Sequence, residues 1–155
     1  MGYNNMHQKV INTLLIVLMG TVLIHPASAS SKKELQPEST PGAVTILAEQ
    51  MLGMMEKDQS LVVVDARVLK GRKKGYIENS IHLPDIETNC DSLAKIETNV
   101  DKPMVFYCSS NTCGRSLNAV KKAISCGYKQ VYWFRGGFKE WKAKGYPYKA
   151  WIAKK

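Results

Sequence analysis

The segment Cys108-Ser-Ser-Asn-Thr-Cys-Gly-Arg-Ser116 holds the residues of this chain best suited to nucleophilic chemistry. It follows an apolar run, residues 104–107, and precedes a segment of helical periodicity. In a strand–loop–helix unit, the backbone N–H groups of the loop and of the helix start attract an anion. A cysteine there loses its proton more readily, and the thiolate is the nucleophilic form. The alternative for Cys108 is simple packing at the end of a strand.

We therefore predict Cys108 as the catalytic residue, because the end of a strand fixes a side chain more rigidly than the middle of a loop. Cys113 is a second thiol, lies nearer the helix start and is the alternative nucleophile. The predicted substrate-binding loop comprises Ser109, Ser110, Asn111, Thr112, Gly114, Arg115 and Ser116.

The surrounding sequence predicts an α/β fold, with a mostly parallel sheet of about five strands flanked by helices on both faces. In such sheets ligands bind at the carboxyl ends of the strands. Cys108 and Asp65 each follow such an end. Strands are predicted at residues 61–64, 104–107 and 130–134, and helices around residues 47–55, 91–98, 115–125 and 138–144.

The N-terminus has the pattern of an export signal. Lys9 precedes an apolar run, residues 10–24, which closes on small residues at 26–30. The run is shorter than the roughly 20 residues of a spanning helix, which favours a cleaved signal. An uncleaved N-terminal membrane anchor is the less favoured alternative. We predict a signal peptide at residues 1–29, a linker at 30–43 and a folded domain at 44–155. The expected location is periplasmic or secreted.

The charge of the chain favours anionic partners. The chain has 22 Lys and Arg against 13 Asp and Glu, and loss of residues 1–29 removes only Lys9, which lowers the net charge from +9 to +8. Such a surface attracts small anions and, weakly, an anionic membrane. Nucleic acid is not an expected partner of an exported protein. The basic loop formed by Lys70, Arg72, Lys73 and Lys74 is predicted to be solvated, and a position at the rim of the site is the alternative.

No metal site is predicted, because the four cysteines lack the paired C-x-x-C spacing of zinc sites. Cys90 and Cys126 are predicted to be packing residues, and disulfides are the alternative that an oxidising compartment allows. Trp133 and Trp141 are predicted to lie in the core.

Residues 59–148 resemble a rhodanese homology domain, the fold of single-domain sulfurtransferases. The resemblance rests on an ordered set of segments: Val63-Val64-Asp65-Ala66-Arg67, then Gly75-Tyr-Ile-Glu-Asn-Ser-Ile-His-Leu-Pro84, then Val105-Phe-Tyr-Cys108 with its loop, and Gly136-Gly137-Phe138-Lys-Glu-Trp141. It implies that a cysteine takes sulfane sulfur from an anionic donor such as thiosulfate. The resulting persulfide passes sulfur to cyanide or a thiol, without a metal or organic cofactor.

Asp65 is predicted to be structural and to hold the loop that follows its strand, rather than to act as a general base. Arg67 is expected either to orient the loop or to pair with a carboxylate. In family sulfurtransferase loops an arginine usually follows the cysteine by five residues, and by six in related phosphatase-type loops, whereas Arg115 follows Cys108 by seven. Tyr76 stands where the family usually has histidine and is expected to pack or to contact the rim of the site.

Two functions remain beside the sulfurtransferase. Cys113 within the longer loop allows an exported thiol–disulfide or persulfide redox protein, with Cys108 and Cys113 as the reactive pair and a redox partner protein. A non-catalytic sulfur-carrier or binding module is the third interpretation.

Overall fold

The computed structural model describes residues 33–152, so the predicted signal peptide, residues 1–29, lies outside the described residues. The described helices are α1 (Ala48–Lys57), α2 (Leu69–Arg72), α3 (Cys90–Ala94), α4 (Arg115–Ser125) and α5 (Gly137–Ala143). The described strands are β1 (Ala43–Ile46), β2 (Val62–Asp65), β3 (Tyr76–Ile77), β4 (Ile81–His82), β5 (Met104–Tyr107), β6 (Val131–Phe134) and β7 (Tyr148–Lys149).

Five of the strands form one parallel sheet in the order β1-β6-β5-β2-β4. Every residue of β2 and of β5 is buried, as expected for apolar strands in the middle of a sheet covered on both faces. The other two strands, β3 and β7, pair antiparallel with each other. The predicted α/β fold with a parallel sheet of about five strands is confirmed.

Alternate residues of the strands supply two separate cores. Val64 and Phe106 pack in one core with residues of α3 and α4, and Val105 and Tyr107 pack in the other with residues of α1 and α5. This alternation follows from the two-residue repeat of a strand. Trp133 and Trp141, each 1% exposed, are core residues as predicted.

Helix α4 has the predicted bounds, because its apolar residues repeat at helical spacing and its end is marked by glycine. Leu117 and Val120 are buried against the sheet. Gly127 follows the helix with φ of +90°, the left-handed conformation that commonly ends helices. The helix begins directly behind the cysteine loop and is anchored by its buried face.

The prediction that Cys90 and Cys126 are packing residues is wrong, because the two form a disulfide with Cα atoms 5.4 Å apart, the alternative that an oxidising compartment allows. Cys90 is the first residue of α3, and Cys126 follows the last residue of α4. The packing of α3 against α4 brings these residues together across a sequence separation of 36, which spacing alone does not reveal.

The described part of the predicted linker contacts the domain. Ala43 already belongs to β1, and the Gln36 N–H donates a hydrogen bond to the Asn111 carbonyl at 2.8 Å. The Arg135 guanidinium donates to the carbonyls of Gln36 and Pro37, at 2.6 and 2.8 Å. On the side of the segment these contacts use backbone groups, which every residue type except proline offers in full. The polar composition of the segment therefore does not distinguish it from a free linker. Within residues 33–152 no helix combines the length and hydropathy needed to cross a membrane.

Candidate active site

Cys108 leaves the central strand β5 at its carboxyl end and is 1% exposed. The start of α5 holds the loop that follows it. The Phe138 N–H donates to the Cys108 carbonyl at 2.8 Å, and the Lys139 N–H donates to the Ser109 carbonyl at 2.9 Å. The N–H groups of a first helical turn lack partners within the helix. Here the cysteine loop accepts two of them, so the loop and α5 are fixed to each other.

Gly137 makes this close approach possible. It has φ of +65°, and a Cβ atom at this position would lie 2.5 Å from the Cys108 carbonyl oxygen and 2.9 Å from the Ser110 nitrogen. Only glycine combines this backbone conformation with the absence of a side chain. The second glycine of the Gly136-Gly137 pair is therefore required by the site.

The two cysteines of the loop form a disulfide, Cys108–Cys113, with Cα atoms 6.2 Å apart. The loop thus brings together the predicted nucleophile and the second thiol. Cys113 is partly exposed, whereas Cys108 is buried. The disulfide contains no thiolate, so nucleophilic chemistry at Cys108 requires the reduced loop. The assignment of Cys108 rather than Cys113 as the nucleophile stays a prediction.

The polar groups between the cysteines are suited to an anion. Within residues 33–152 the backbone N–H groups of residues 109–112 donate to no protein acceptor, which leaves them available to a ligand. The Ser110 and Thr112 hydroxyls lie 3.1 Å apart, and the Cys113 N–H donates to the Ser110 carbonyl at 3.0 Å. Gly114 is the N-cap of α4. A cleft of about 210 Å³ between the loop and α5 is lined by Ser110, Asn111, Gly136, Lys139, Glu140 and Ala143.

Ser116 differs from the rest of the predicted binding loop. It lies inside α4, is 1% exposed, and its hydroxyl accepts a hydrogen bond from Trp133 Nε1 at 2.9 Å. The helix turns this side chain toward the sheet. The Ser116 side chain therefore packs against the sheet, and the part of this residue in the substrate-binding loop stays a prediction.

Arg115 lies beside the second thiol. Its Nη1 atom is 3.9 Å from Cys113 Sγ, and its Nε atom is 3.6 Å from Asp85 Oδ1. Asn118 Nδ2 donates to the other Asp85 oxygen at 3.3 Å. Asp85 Oδ1 is buried and accepts no hydrogen bond within the described part of the chain, so the Arg115 guanidinium is the charge that faces it. Asp85 was not predicted, although it follows β4 at the same edge of the sheet.

Asp65 is completely buried and holds the segment after β2. Its carboxylate accepts hydrogen bonds from Arg67 at 2.7 and 2.8 Å, from Arg72 at 3.1 Å and from the Tyr107 hydroxyl at 2.9 Å. Burial, with the nearby Asp65 charge, raises the pKa of Tyr107, which keeps that hydroxyl protonated as a donor.

The two arginines around Asp65 are structural. Arg67 pairs with the carboxylate and also donates to the Gly71 and Gly75 carbonyls, so it orients the segment after β2. Arg72 is 7% exposed and donates to Ser80, so the prediction of a solvated basic loop is wrong at this residue. Tyr76 packs under the Arg72 guanidinium, as expected of a packing residue.

Arg135 is a second cation at the carboxyl edge of the sheet, and it was not among the predicted site residues. It follows β6, whose register pairs Phe134 with Tyr107, the residue before Cys108. Its position directly after a predicted strand was the available signal. Its guanidinium donates hydrogen bonds to the carbonyls of Gln36 and Pro37, so Arg135 holds the segment before β1 at this edge of the sheet.

The cysteine loop thus lies at the carboxyl end of the central strand of a parallel sheet and is fixed by the Gly-Gly start of α5, which defines an α/β domain with a cysteine-bearing loop. Residues 47–144 match the rhodanese-like domain. The chain belongs to this family.

Individual relatives agree with the family assignment. The chain is 33% identical over 87 residues to thiosulfate sulfurtransferase GlpE of Pseudomonas savastanoi pv. phaseolicola, covering 56% of this chain and 77% of the relative. It is 31% identical over 101 residues to an uncharacterized protein of Buchnera aphidicola, covering 63% and 67%. A solved structure of a rhodanese-related protein from Thermoplasma volcanium superposes with a TM-score of 0.57 at 26% identity, covering 70% and 99%.

Proposed function

We propose that this protein is an exported sulfurtransferase that moves sulfane sulfur through a persulfide on Cys108. The donor is a small anion such as thiosulfate, and the acceptor is cyanide or a thiol. The observation that carries the proposal is the position of Cys108, at the end of the central strand and under a loop with four uncommitted N–H groups within residues 33–152. The Pseudomonas relative named thiosulfate sulfurtransferase supports the donor class.

The chemistry follows from the charges of the loop. With the loop reduced, the Cys108 thiolate attacks the outer sulfur of thiosulfate, the sulfur–sulfur bond breaks and sulfite leaves with its electron pair. The loop N–H groups stabilise the negative charge of donor and leaving group, as preorganised donors do in other transfer reactions. Asp65 and Arg67 contribute by fixing the neighbouring segment rather than by contact with sulfur.

The export proposal is supported by the pattern at residues 1–29 and by the cysteines. All four cysteines are paired, as Cys90–Cys126 and Cys108–Cys113. Disulfides form and persist in oxidising compartments and are rare in the cytosol. Because a Cys108–Cys113 disulfide must open before transfer, a reducing partner protein in that compartment is part of the proposal.

One observation favours a second candidate function. The Cys108–Cys113 disulfide is what a thiol–disulfide redox protein would carry in its oxidised form. Such a protein would exchange disulfides with a partner and would take up no sulfur from thiosulfate. The two functions therefore differ in whether sulfite is released.

Intact-mass spectrometry tests the proposal. The wild-type chain without residues 1–29 and its Cys108→Ser and Cys113→Ser variants are each reduced, freed of reductant and treated with thiosulfate. We expect Cys113→Ser to gain one sulfur atom, to release one sulfite per chain and to form thiocyanate when cyanide is added. Cys108→Ser should do none of these. Transfer by Cys108→Ser would reject Cys108 as the nucleophile, and the absence of sulfite from both variants and the wild type would reject the sulfurtransferase.

A further inference from the structure

We propose that Cys113 resolves the Cys108 persulfide, so that the protein discharges its sulfur as hydrosulfide and closes the Cys108–Cys113 disulfide. This inference rests on the proposed function, because a persulfide must first form on Cys108. It adds an activity, the reduction of sulfane sulfur, and it assigns the partner class: a dithiol that reopens the disulfide.

The first support is the bond between the two cysteines. Cys113 Sγ reaches Cys108 Sγ, the inner sulfur of the future persulfide, within a loop that α5 holds at Cys108 and Ser109. A thiol that forms this bond has the approach needed to attack the inner sulfur. Cys108 is 1% exposed, so Cys108 Sγ, the inner sulfur of the persulfide, is shielded from solvent thiols, whereas Cys113 Sγ already lies at bonding distance from it.

The second support is the charge beside Cys113. Arg115 Nη1 lies 3.9 Å from Cys113 Sγ, and Asp85 holds the same guanidinium at 3.6 Å. A cation beside a sulfur favours the thiolate, the form that attacks a disulfide or persulfide. Arg115 follows Cys108 by seven residues but Cys113 by only two, so in this longer loop the arginine lies next to the second thiol.

The step balances without an external oxidant. The Cys113 thiolate attacks Cys108 Sγ, and the bond between Sγ and the outer sulfur breaks. The electron pair of that bond leaves on the outer sulfur, which departs as hydrosulfide. The outer sulfur is reduced and the two cysteines are oxidised to a disulfide. A dithiol then attacks the partly exposed Cys113 sulfur, and exchange restores both cysteines with oxidation of the dithiol.

The resolution step competes with transfer to an external acceptor. When cyanide takes the outer sulfur first, Cys108 returns to the thiolate and no disulfide forms. Without an acceptor or a reductant the protein completes one turnover and stops in the oxidised state, which is the form that the structure shows.

The test is a single turnover without oxygen. Reduced wild-type protein, freed of reductant, receives one equivalent of thiosulfate, and sulfite, hydrosulfide, intact mass and disulfide-linked peptides are measured over time. We expect one sulfite and one hydrosulfide per chain, with a Cys108–Cys113 peptide appearing at the rate of hydrosulfide release. Cys113→Ser should release sulfite, keep the added sulfur and release at least tenfold less hydrosulfide.

The matched control removes the other cysteine pair. The Cys90→Ser/Cys126→Ser double variant should release hydrosulfide as the wild type does, because these residues form their own disulfide away from the loop cysteines. Cys113→Ala serves as a second variant, and circular dichroism checks that each variant folds.

The outcomes separate the two proposals. Persistence of the added sulfur in the wild type for as long as in Cys113→Ser would overturn the resolving role and leave the sulfurtransferase intact. Absence of sulfite from the wild type and all Cys113 variants would instead overturn the proposed function itself. Hydrosulfide release that disappears in the double variant would assign the step to Cys90 or Cys126.

Discussion

Asp85 and Arg115 form the charge pair that, in the proposed mechanism, supports the second thiol. The Asp85 carboxylate is nearly buried, whereas the Arg115 side chain is 47% exposed, so solvent screens much of the interaction. A pair of this kind contributes about 0.5–1 kcal/mol, which corresponds to about a two- to fivefold change in rate. Its contribution is to position the guanidinium near Cys113 Sγ.

We therefore expect Asp85→Asn to slow hydrosulfide release by about two- to fivefold while sulfite release keeps its yield. The pH at which hydrosulfide release accelerates should also be higher in Asp85→Asn than in the wild type. Without Asp85 the guanidinium of Arg115 is held less firmly and stabilises the Cys113 thiolate less. Single-turnover kinetics across a pH series measure both effects. Asp101→Asn, which loses a pair with Lys129 on the exposed surface, is the matched control. An unchanged pH profile would show that Asp85 acts only as a structural residue.

The residues of the site differ in how far the sequence could predict them. The sequence predicts positions at the site for Cys108 and Asp65, because each follows an apolar run long enough to predict a strand and strand ends lie together at one edge of a sheet. Asp85 follows β4, which has only two residues and no apolar run to detect. Gln36 contacts the loop through its backbone N–H, a group that every residue except proline has, so no residue type marks this contact.

At the level of elements, the start of α5 and the cysteine loop are held together by backbone hydrogen bonds and by close backbone contact at Gly137. The clash at Gly137 involves backbone atoms of Cys108 and Ser110, which a side chain cannot avoid by changing rotamer. We expect Gly137→Ala to displace α5 from the loop, to lose at least tenfold in sulfite release and to unfold more easily. The single-turnover assay and urea denaturation measure these effects.

Gly145 provides the matched control for that substitution. It has φ of +74°, close to the +65° of Gly137, but a Cβ atom there would meet nothing within 4 Å. Gly145→Ala should therefore show only the cost of the left-handed backbone, about 1 kcal/mol, with sulfite release retained. Equal loss of activity in the two variants would show that backbone conformation, rather than contact with the loop, explains the glycine at 137.

The elements themselves were predictable where periodicity is local. Helix α4 was predicted with its observed bounds because Leu117 and Val120 lie on one helical face and Gly127 follows. Strand β1 was missed, since Ala43 to Ile46 alternate little and gain their stability by pairing with β6. Pairing over such a sequence distance depends on tertiary context, which strand propensity does not report.

For the whole molecule, the two disulfides have different roles. Cys90–Cys126 joins α3 to the end of α4 across 36 residues, whereas Cys108–Cys113 spans five residues inside the site. Cross-links that close longer loops restrict the unfolded chain more. The first disulfide therefore stabilises the domain, and the second is the one that the proposed reaction opens and closes.

Weak contact of the basic surface with an anionic membrane stays a prediction.

This division predicts opposite effects of removing each pair. In oxidised protein, Cys90→Ser/Cys126→Ser should lower the free energy of unfolding by about 4 kcal/mol, and Cys113→Ser by about 2 kcal/mol, from the loop lengths alone. Hydrosulfide release should show the reverse order, retained in the double variant and lost in Cys113→Ser. Urea denaturation and single-turnover kinetics on the same preparations measure the two properties. A larger stability loss in Cys113→Ser would mean that the loop disulfide is a structural cross-link, and its proposed opening in each reaction cycle would then require partial unfolding of the site.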